Sequence, residues 1–192
     1  AEIAMGLVAD IFSERKLRGL KGNIAMGHNR YSTTGSSLLK NAQPFIMEYS
    51  QGSLAMAHNG NLINTRKIRA ELEKRGAIFR STSDTEIICQ LIAGSREQKL
   101  EERVAWALKQ VKGAYSLIVM SEKELIGVRD PNGFRPLVLG KLGDGHIMAS
   151  ETCALDLIGA TYVREIQPGE MLIINSDGLQ SYSLFNKVNP SF

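Results

Sequence analysis

Four polar islands interrupt the apolar pattern of this chain: GHNRYSTTG (27–35), HNGN (58–61), STSDTE (81–86) and DPNGFRP (130–136). Asn59 and Gly60 offer a side-chain amide beside a backbone N–H that no side chain obstructs, the donor pair of an oxyanion hole. Arg30, followed by a hydroxyl-rich loop, can grip a carboxylate through two parallel N–H bonds. Asp84 stands at the start of a helix, where the dipole favours its charge, and can accept from an ammonium group. A carboxylate holder, an ammonium holder and an oxyanion hole together would seat an α-amino acid whose side-chain carbonyl is attacked. Taken singly, each has a plainer reading. Asn-Gly is most often a hairpin turn, an arginine a surface ion-pair residue, and an aspartate before a helix a cap. Only the set points to chemistry. His28 and His58 read as polar residues at strand ends, with no catalytic role. DPNGFRP reads as a turn in which Pro131 sets φ, Gly133 takes φ > 0 and Arg135 ties the loop down.

The elements that must position these islands follow from local pattern. NIAM (23–26) begins with a short apolar run expected as a strand, and RYSTTGSSLLKN is expected as an extended loop. SLAMAH (53–58) is expected as a strand ending at the Asn-Gly. Three helices follow. The first is TRKIRAELEKR, capped by Asn64, with Arg69 and Glu73 at i, i+4 and Gly76 as its stop. The second lies in STSDTEIICQLIAG, with a Ser83–Glu86 capping box. The third, LEERVAWALKQVKG, places Leu100, Val104, Ala107, Leu108 and Val111 on one stripe. The period then changes to short strands: AYSLIVMS, ELIGVRD, PLVLGKL, HIMAS, EMLIIN and LQSYSLF. Glu122-Lys123, Gly143-Asp144-Gly145 and Ser176-Asp177-Gly178 join several of them, and connections this short impose antiparallel neighbours. Strands, then helices, then strands make an α+β fold.

Bulk properties exclude several classes. The 192 residues suit one domain spanning 1–192, and 43% hydrophobic with 22% charged is an ordinary globular balance. Net charge is +3, from 23 basic and 20 acidic residues. The densest basic group, Arg15, Lys16, Arg18 and Lys21, lacks interleaved aromatics, so it reads as a solvated helix face and no nucleic-acid partner is expected. No apolar run is long enough for a membrane span. Cys89 and Cys153 have no metal-ligand spacing and are expected as buried, reduced thiols of a cytoplasmic protein, so no metal site is expected here.

GHNRYSTTG, AHNGNLIN, STSDTE, DPNGFRPL and ASETCALD…GATYVREIQPGEM, in this order, resemble the glutaminase domains of the amidophosphoribosyltransferase family. These are class II glutamine amidotransferases of the Ntn-hydrolase type. Sister glucosamine-6-phosphate synthases carry Trp where Tyr31 stands and lack DPNGFRPL. The resemblance implies a four-layer sandwich, two antiparallel sheets between helical layers. It implies that Arg30 binds the glutamine α-carboxylate, Asp84 its α-amino group, and Asn59 with Gly60 the tetrahedral oxyanion. Tyr31 and Thr33 would belong to a loop, 30 to about 41, that closes over glutamine. The family's nucleophile is an N-terminal cysteine whose own α-amine acts as base. The chain begins AEIAMGLV, without Met and inside an apolar pattern. A preceding segment carrying that cysteine on a core strand is therefore expected, with these residues inactive alone. A phosphoribosyltransferase domain would follow, taking ammonia to phosphoribosyl pyrophosphate with Mg to give phosphoribosylamine, the first committed step of purine synthesis. Some members carry an iron–sulfur cluster beyond this segment, and a homo-oligomer, a tetramer, is expected. The competing expectation is a non-catalytic glutamine-sensing module that lacks the nucleophile.

Overall fold

Leu117 and Val119 face one hydrophobic core while Ile118, between them, faces another. The same split recurs at Met171 and Ile173 against Leu172 and Ile174. A strand alternates its side chains with period two, so one sheet here has two buried faces and must lie between two layers. The computed structural model describes residues 1–29 and 39–185.

Within them the order is α1 (Val8–Ile11), α2 (Glu14–Gly19), a 3₁₀ turn (Leu39–Asn41), β1 (Phe45–Tyr49), β2 (Gly52–Leu62), α3 (Thr65–Lys74), α4 (Asp84–Gly94) and α5 (Leu100–Leu108). There follow β3 (Gly113–Met120), β4 (Leu125–Arg129), β5 (Val138–Leu142), β6 (Gly145–Ala149), α6 (Cys153–Leu157), β7 (Thr161–Glu165), β8 (Glu170–Asn175) and β9 (Gly178–Ser183). The larger sheet has the order β1-β2-β3-β4-β8-β9 and the smaller β6-β5-β7, and every pairing is antiparallel. One face of the larger sheet buries Leu54, Met56 and Val128 against Ile88 and Ile92 of α4 and Val104 and Leu108 of α5. Its other face meets the smaller sheet through Leu137, Leu139, Ile166 and Leu172. On the far side of the smaller sheet, Leu155 of α6 sits directly over Gly140, where a Cβ would collide with it. Helices, sheet, sheet, helix is the four-layer α+β sandwich expected.

All five residues of the stripe assigned to α5 are buried. Both α3 and α6 end as glycine-closed Schellman motifs. Gly76 N–H bonds to Glu73 O with Ala77 N–H to Leu72 O, and Gly159 N–H bonds to Asp156 O with Ala160 N–H to Leu155 O. The expected tight turns join β3 to β4, β5 to β6 and β8 to β9.

Several expectations are corrected. Residues 24–26 form no strand. β1, α6 and β7 were not foreseen. β2 does not end at Asn59-Gly60 but runs through them to Leu62, because Asn59 and Gly60 pair with Ser116 and Tyr115 of β3. The Asn64 side chain does not cap α3. It accepts from Lys112 N–H and donates to Gln110 O, fastening the helix start to the α5–β3 connection. Ser83 does cap α4, accepting from Thr85 N–H, but Glu86 does not return the bond. Buried Glu86 instead accepts from Arg80 N–H, Ser81 N–H and the Ser81 hydroxyl at 2.7, 2.8 and 2.5 Å. Three donors from the preceding loop outweigh one cap bond for a carboxylate out of water.

Candidate active site

β2 outruns β1: the β1–β2 pairing stops at Phe45↔Met56, whereas β2 stays paired with β3 as far as Leu62. Beyond Met56 one edge of β2 therefore lacks a strand, and its polar groups need other partners. The Gln43 side chain takes both backbone groups of His58, accepting from its N–H at 2.6 Å and donating to its C=O at 3.2 Å. Asp84 Oδ2 accepts from Leu62 N–H at 3.0 Å. Strand alternation puts the N–H groups of residues 58, 60 and 62 on this same edge. Gly60 thus lies between two positions sealed by side chains. No other residue fits there: its φ is +146°, and an added Cβ would run into the Ala114 carbonyl and the His58 ring.

This edge lines a cavity of about 680 Å³ together with His28, Asn59, Asp84, Arg66, Arg135 and Ser150. Asp84 is the first residue of α4, within the helix's positive end. Burial pushes its carboxyl up, but hydrogen bonding and charge from His58, with the N–H groups of Leu62 and Thr85, outweigh that and leave it below its ordinary value. His58 is the buried strut behind it. Its Nδ1 lies 3.5 Å from Asp84 Oδ1 and 3.3 Å from the Thr85 hydroxyl, while Nε2 faces Ala114 O at 3.5 Å. Sequence reasoning gave His58 no role; the chemistry of a buried ring beside an acid appears only once α4 is packed against β2.

Asn59 is held at both ends of its carboxamide. Oδ1 lies 3.1 Å from His28 Nε2, and Nδ2 donates to Ser150 Oγ at 2.8 Å. Ser150 follows β6 in the smaller sheet, so this bond crosses between the two sheets. DPNGFRP forms the turn expected, with Gly133 at φ +67°, but the residue that ties it down is Arg129 rather than Arg135. The Arg129 guanidinium donates to the carbonyls of Arg135, Gly133 and Ile166 at 2.8–2.9 Å and pairs with Glu165 at 2.9 Å. Fully buried Asp130 accepts from the N–H groups of Tyr115, Asn132 and Phe134. The loop is a rigid platform that brings Arg135 and Pro136 to the cavity wall.

Of the residues singled out from sequence, Asn59, Gly60 and Asp84 meet at one cavity. Arg30, Tyr31 and Thr33 lie outside the described residues. Cys89 is buried against Met56 Sδ, and burial together with the Glu86 charge pushes its thiol up to about 12. Cys153 is exposed, contrary to expectation, because α6 turns it outward beside Glu151. Among the described residues no group of three or more His, Cys, Asp or Glu side chains is placed to hold a metal, and no helix is long and apolar enough to cross a membrane.

Two antiparallel sheets between helical layers, with a polar pocket where one strand overruns its neighbour, define an α+β domain of the Ntn-hydrolase kind. The family model described as "Glutamine amidotransferase domain" matches residues 28–157. Amidophosphoribosyltransferase 2 of Arabidopsis thaliana chloroplasts is 51% identical over 187 residues, 97% of this chain and 33% of that protein. The Bacillus subtilis amidophosphoribosyltransferase is 44% identical over 192 residues, 100% of this chain and 40% of that protein. A solved structure of the B. subtilis glutamine phosphoribosylpyrophosphate amidotransferase, complexed with ADP and GMP, has a TM-score of 0.89 at 44% identity, covering 95% of this chain and 40% of that one. The chain belongs to the glutamine amidotransferase domain family, in the branch formed by the glutaminase domains of amidophosphoribosyltransferases. It spans 33–40% of the length of these relatives.

Proposed function

We propose that this chain is the glutamine-hydrolysing half of an amidophosphoribosyltransferase, and that the open edge of β2 is its oxyanion site. The carrying observation is the N–H of Gly60, left between positions 58 and 62 whose N–H groups Gln43 and Asp84 already occupy, with the Asn59 amide alongside. A thiolate adding to the glutamine side-chain carbonyl places negative charge on that oxygen. Gly60 N–H and the free hydrogen of Asn59 Nδ2 would stabilise it. The proton that the nucleophile's α-amine took from the thiol passes to the amide nitrogen, so collapse of the adduct expels ammonia and leaves a thioester, which water then hydrolyses to glutamate and the free thiol. The Asp84 carboxylate, kept charged by its surroundings, suits the substrate α-ammonium. Arg30 would take the α-carboxylate, with Tyr31 and Thr33 in the loop that covers it.

Neither Cys89, sunk in the core, nor Cys153 matches the nucleophile, which in this reading is the N-terminal cysteine of the mature protein. Ammonia would pass to a phosphoribosyltransferase domain of the same protein and attack phosphoribosyl pyrophosphate bound with Mg. Among the described residues no side-chain group is placed to hold an iron–sulfur cluster, and a cluster in the intact protein would draw its ligands from beyond this segment. A homo-tetramer in the cytoplasm completes the proposal, although relatives named as chloroplast proteins leave a plastid equally compatible. The relatives carry the names of enzymes, which speaks against a glutamine-sensing module.

The test is to label the protein, purified from its own source, with a glutamine-like diazoketone and map the adduct. An adduct on an N-terminal cysteine supports the reading. Reversible glutamine binding with no adduct would replace it by the sensing module.

A further inference from the structure

We propose that Ser150 is a positioning residue for the Asn59 carboxamide, acting across the gap between the two sheets. The inference rests on the oxyanion reading of Asn59.

An asparagine amide turns about a broad, shallow torsion, and it carries two N–H donors at one end and an acceptor oxygen at the other. A freely turning amide would face an incoming oxyanion with its own oxygen part of the time. In this site both ends are engaged: Ser150 Oγ accepts one Nδ2 hydrogen at 2.8 Å, and His28 Nε2 lies 3.1 Å from Oδ1. One N–H remains for a ligand, and its direction is set by the other two contacts. The backbone beneath is equally fixed. Asn59 pairs with Ser116, whose hydroxyl donates at 3.0 Å to the carbonyl of Arg135 on the Arg129-braced loop. Ser150 is half-buried and forms no other hydrogen bond among the described residues. Its hydroxyl therefore has no structural task that competes with holding the amide. The effect sought is preorganisation: a donor aimed before charge develops needs no reorganisation when it does.

The experiment uses the full-length protein with Ser150→Ala, Ser150→Thr, Asn59→Ala and the Ser150→Ala/Asn59→Ala double variant. Glutamine kcat and KM are measured for each, with ammonia-dependent synthesis as the control for folding. Ser150→Ala is expected to lower kcat about 10- to 100-fold, the scale on which misplacing a catalytic group acts, with KM and ammonia-dependent synthesis little changed. Ser150→Thr, which keeps the hydroxyl, should recover most of the loss. In the Asn59→Ala background, Ser150→Ala should cost nothing further, since its effect is carried by the amide already removed. Equal losses in both backgrounds, or an unchanged kcat in Ser150→Ala, overturn the proposal. An Asn59→Ala variant with full glutaminase activity would instead bring down the oxyanion reading itself, and this inference with it.

Discussion

Asn59 and Gly60 supply donors of different kinds, a side-chain amide and a backbone N–H, so their removal should differ in character. In the proposed reading, Asn59→Ala deletes one oxyanion donor and keeps the strand. It is expected to lower glutamine-dependent kcat by about 10²–10³ while ammonia-dependent synthesis continues, which steady-state assays with the two nitrogen donors will show. Asp84 carries a pH consequence. Its carboxyl is depressed in the folded protein by His58 and by the Leu62 and Thr85 N–H groups despite the opposing effect of burial. A depressed carboxylate stabilises the fold above its unfolded value of about 3.9, and that contribution is lost as pH falls through the lower folded value. Urea midpoints of the protein and of Asp84→Asn should therefore differ steadily near neutrality and converge only in strong acid. A gap that closes already near pH 6 would assign the effect to another group.

At the scale of elements, the loop that delivers Asp84 hangs on Glu86. Removing that carboxylate strands Arg80 N–H, Ser81 N–H and the Ser81 hydroxyl. Hydrogen bonds to a charged partner are worth about 1.5–3 kcal/mol each at most, and solvent entering the gap recovers part of this. Glu86→Ala should thus cost about 3 kcal/mol in urea unfolding and, if Asp84 holds the glutamine α-ammonium as proposed, raise the glutamine KM by displacing it. The same residue shows where the sequence was legible. The helix itself, its Ser83 cap and its glycine-containing end followed from local spacing. The partner of Glu86 did not, because a capping box and a loop clamp present the same residues until the loop folds back. Asn64 departs from its local signal for the same reason. Asn59-Gly60 is the sharpest case, since the strongest short-range turn signal in the chain lies in mid-strand. Pairing with β3, more than fifty positions away, overrides it. The short strands after residue 113 were visible because tight turns leave antiparallel pairing little freedom. The exposed edge strand β7 pairs with β5 but is joined to it by no tight turn, so nothing local announced it.

Across the whole molecule the two cysteines occupy opposite situations. A maleimide or disulfide reagent at pH 8 should modify exposed Cys153 readily, while Cys89, with its thiol at about 12 and in the core, should react only on unfolding. Peptide mapping before and after denaturant distinguishes the two. The sheets are likewise unequal. The helix-side core gathers residues from three helices and four strands of the larger sheet, whereas the layer between the sheets rests on Leu137, Leu139, Ile166 and Leu172 with a few half-buried neighbours. Cooperative units with fewer buried apolar contacts open first. The Asn59–Ser150 bond bridges these two regions, so the oxyanion donor we propose would be aimed only while the thinner layer stays docked. Heat should therefore silence the glutaminase several degrees before circular dichroism registers unfolding, with amide exchange in β5–β7 rising in step with the lost activity. A glutaminase built as proposed would act as its own thermal fuse, shutting off ammonia release while most of the fold still stands.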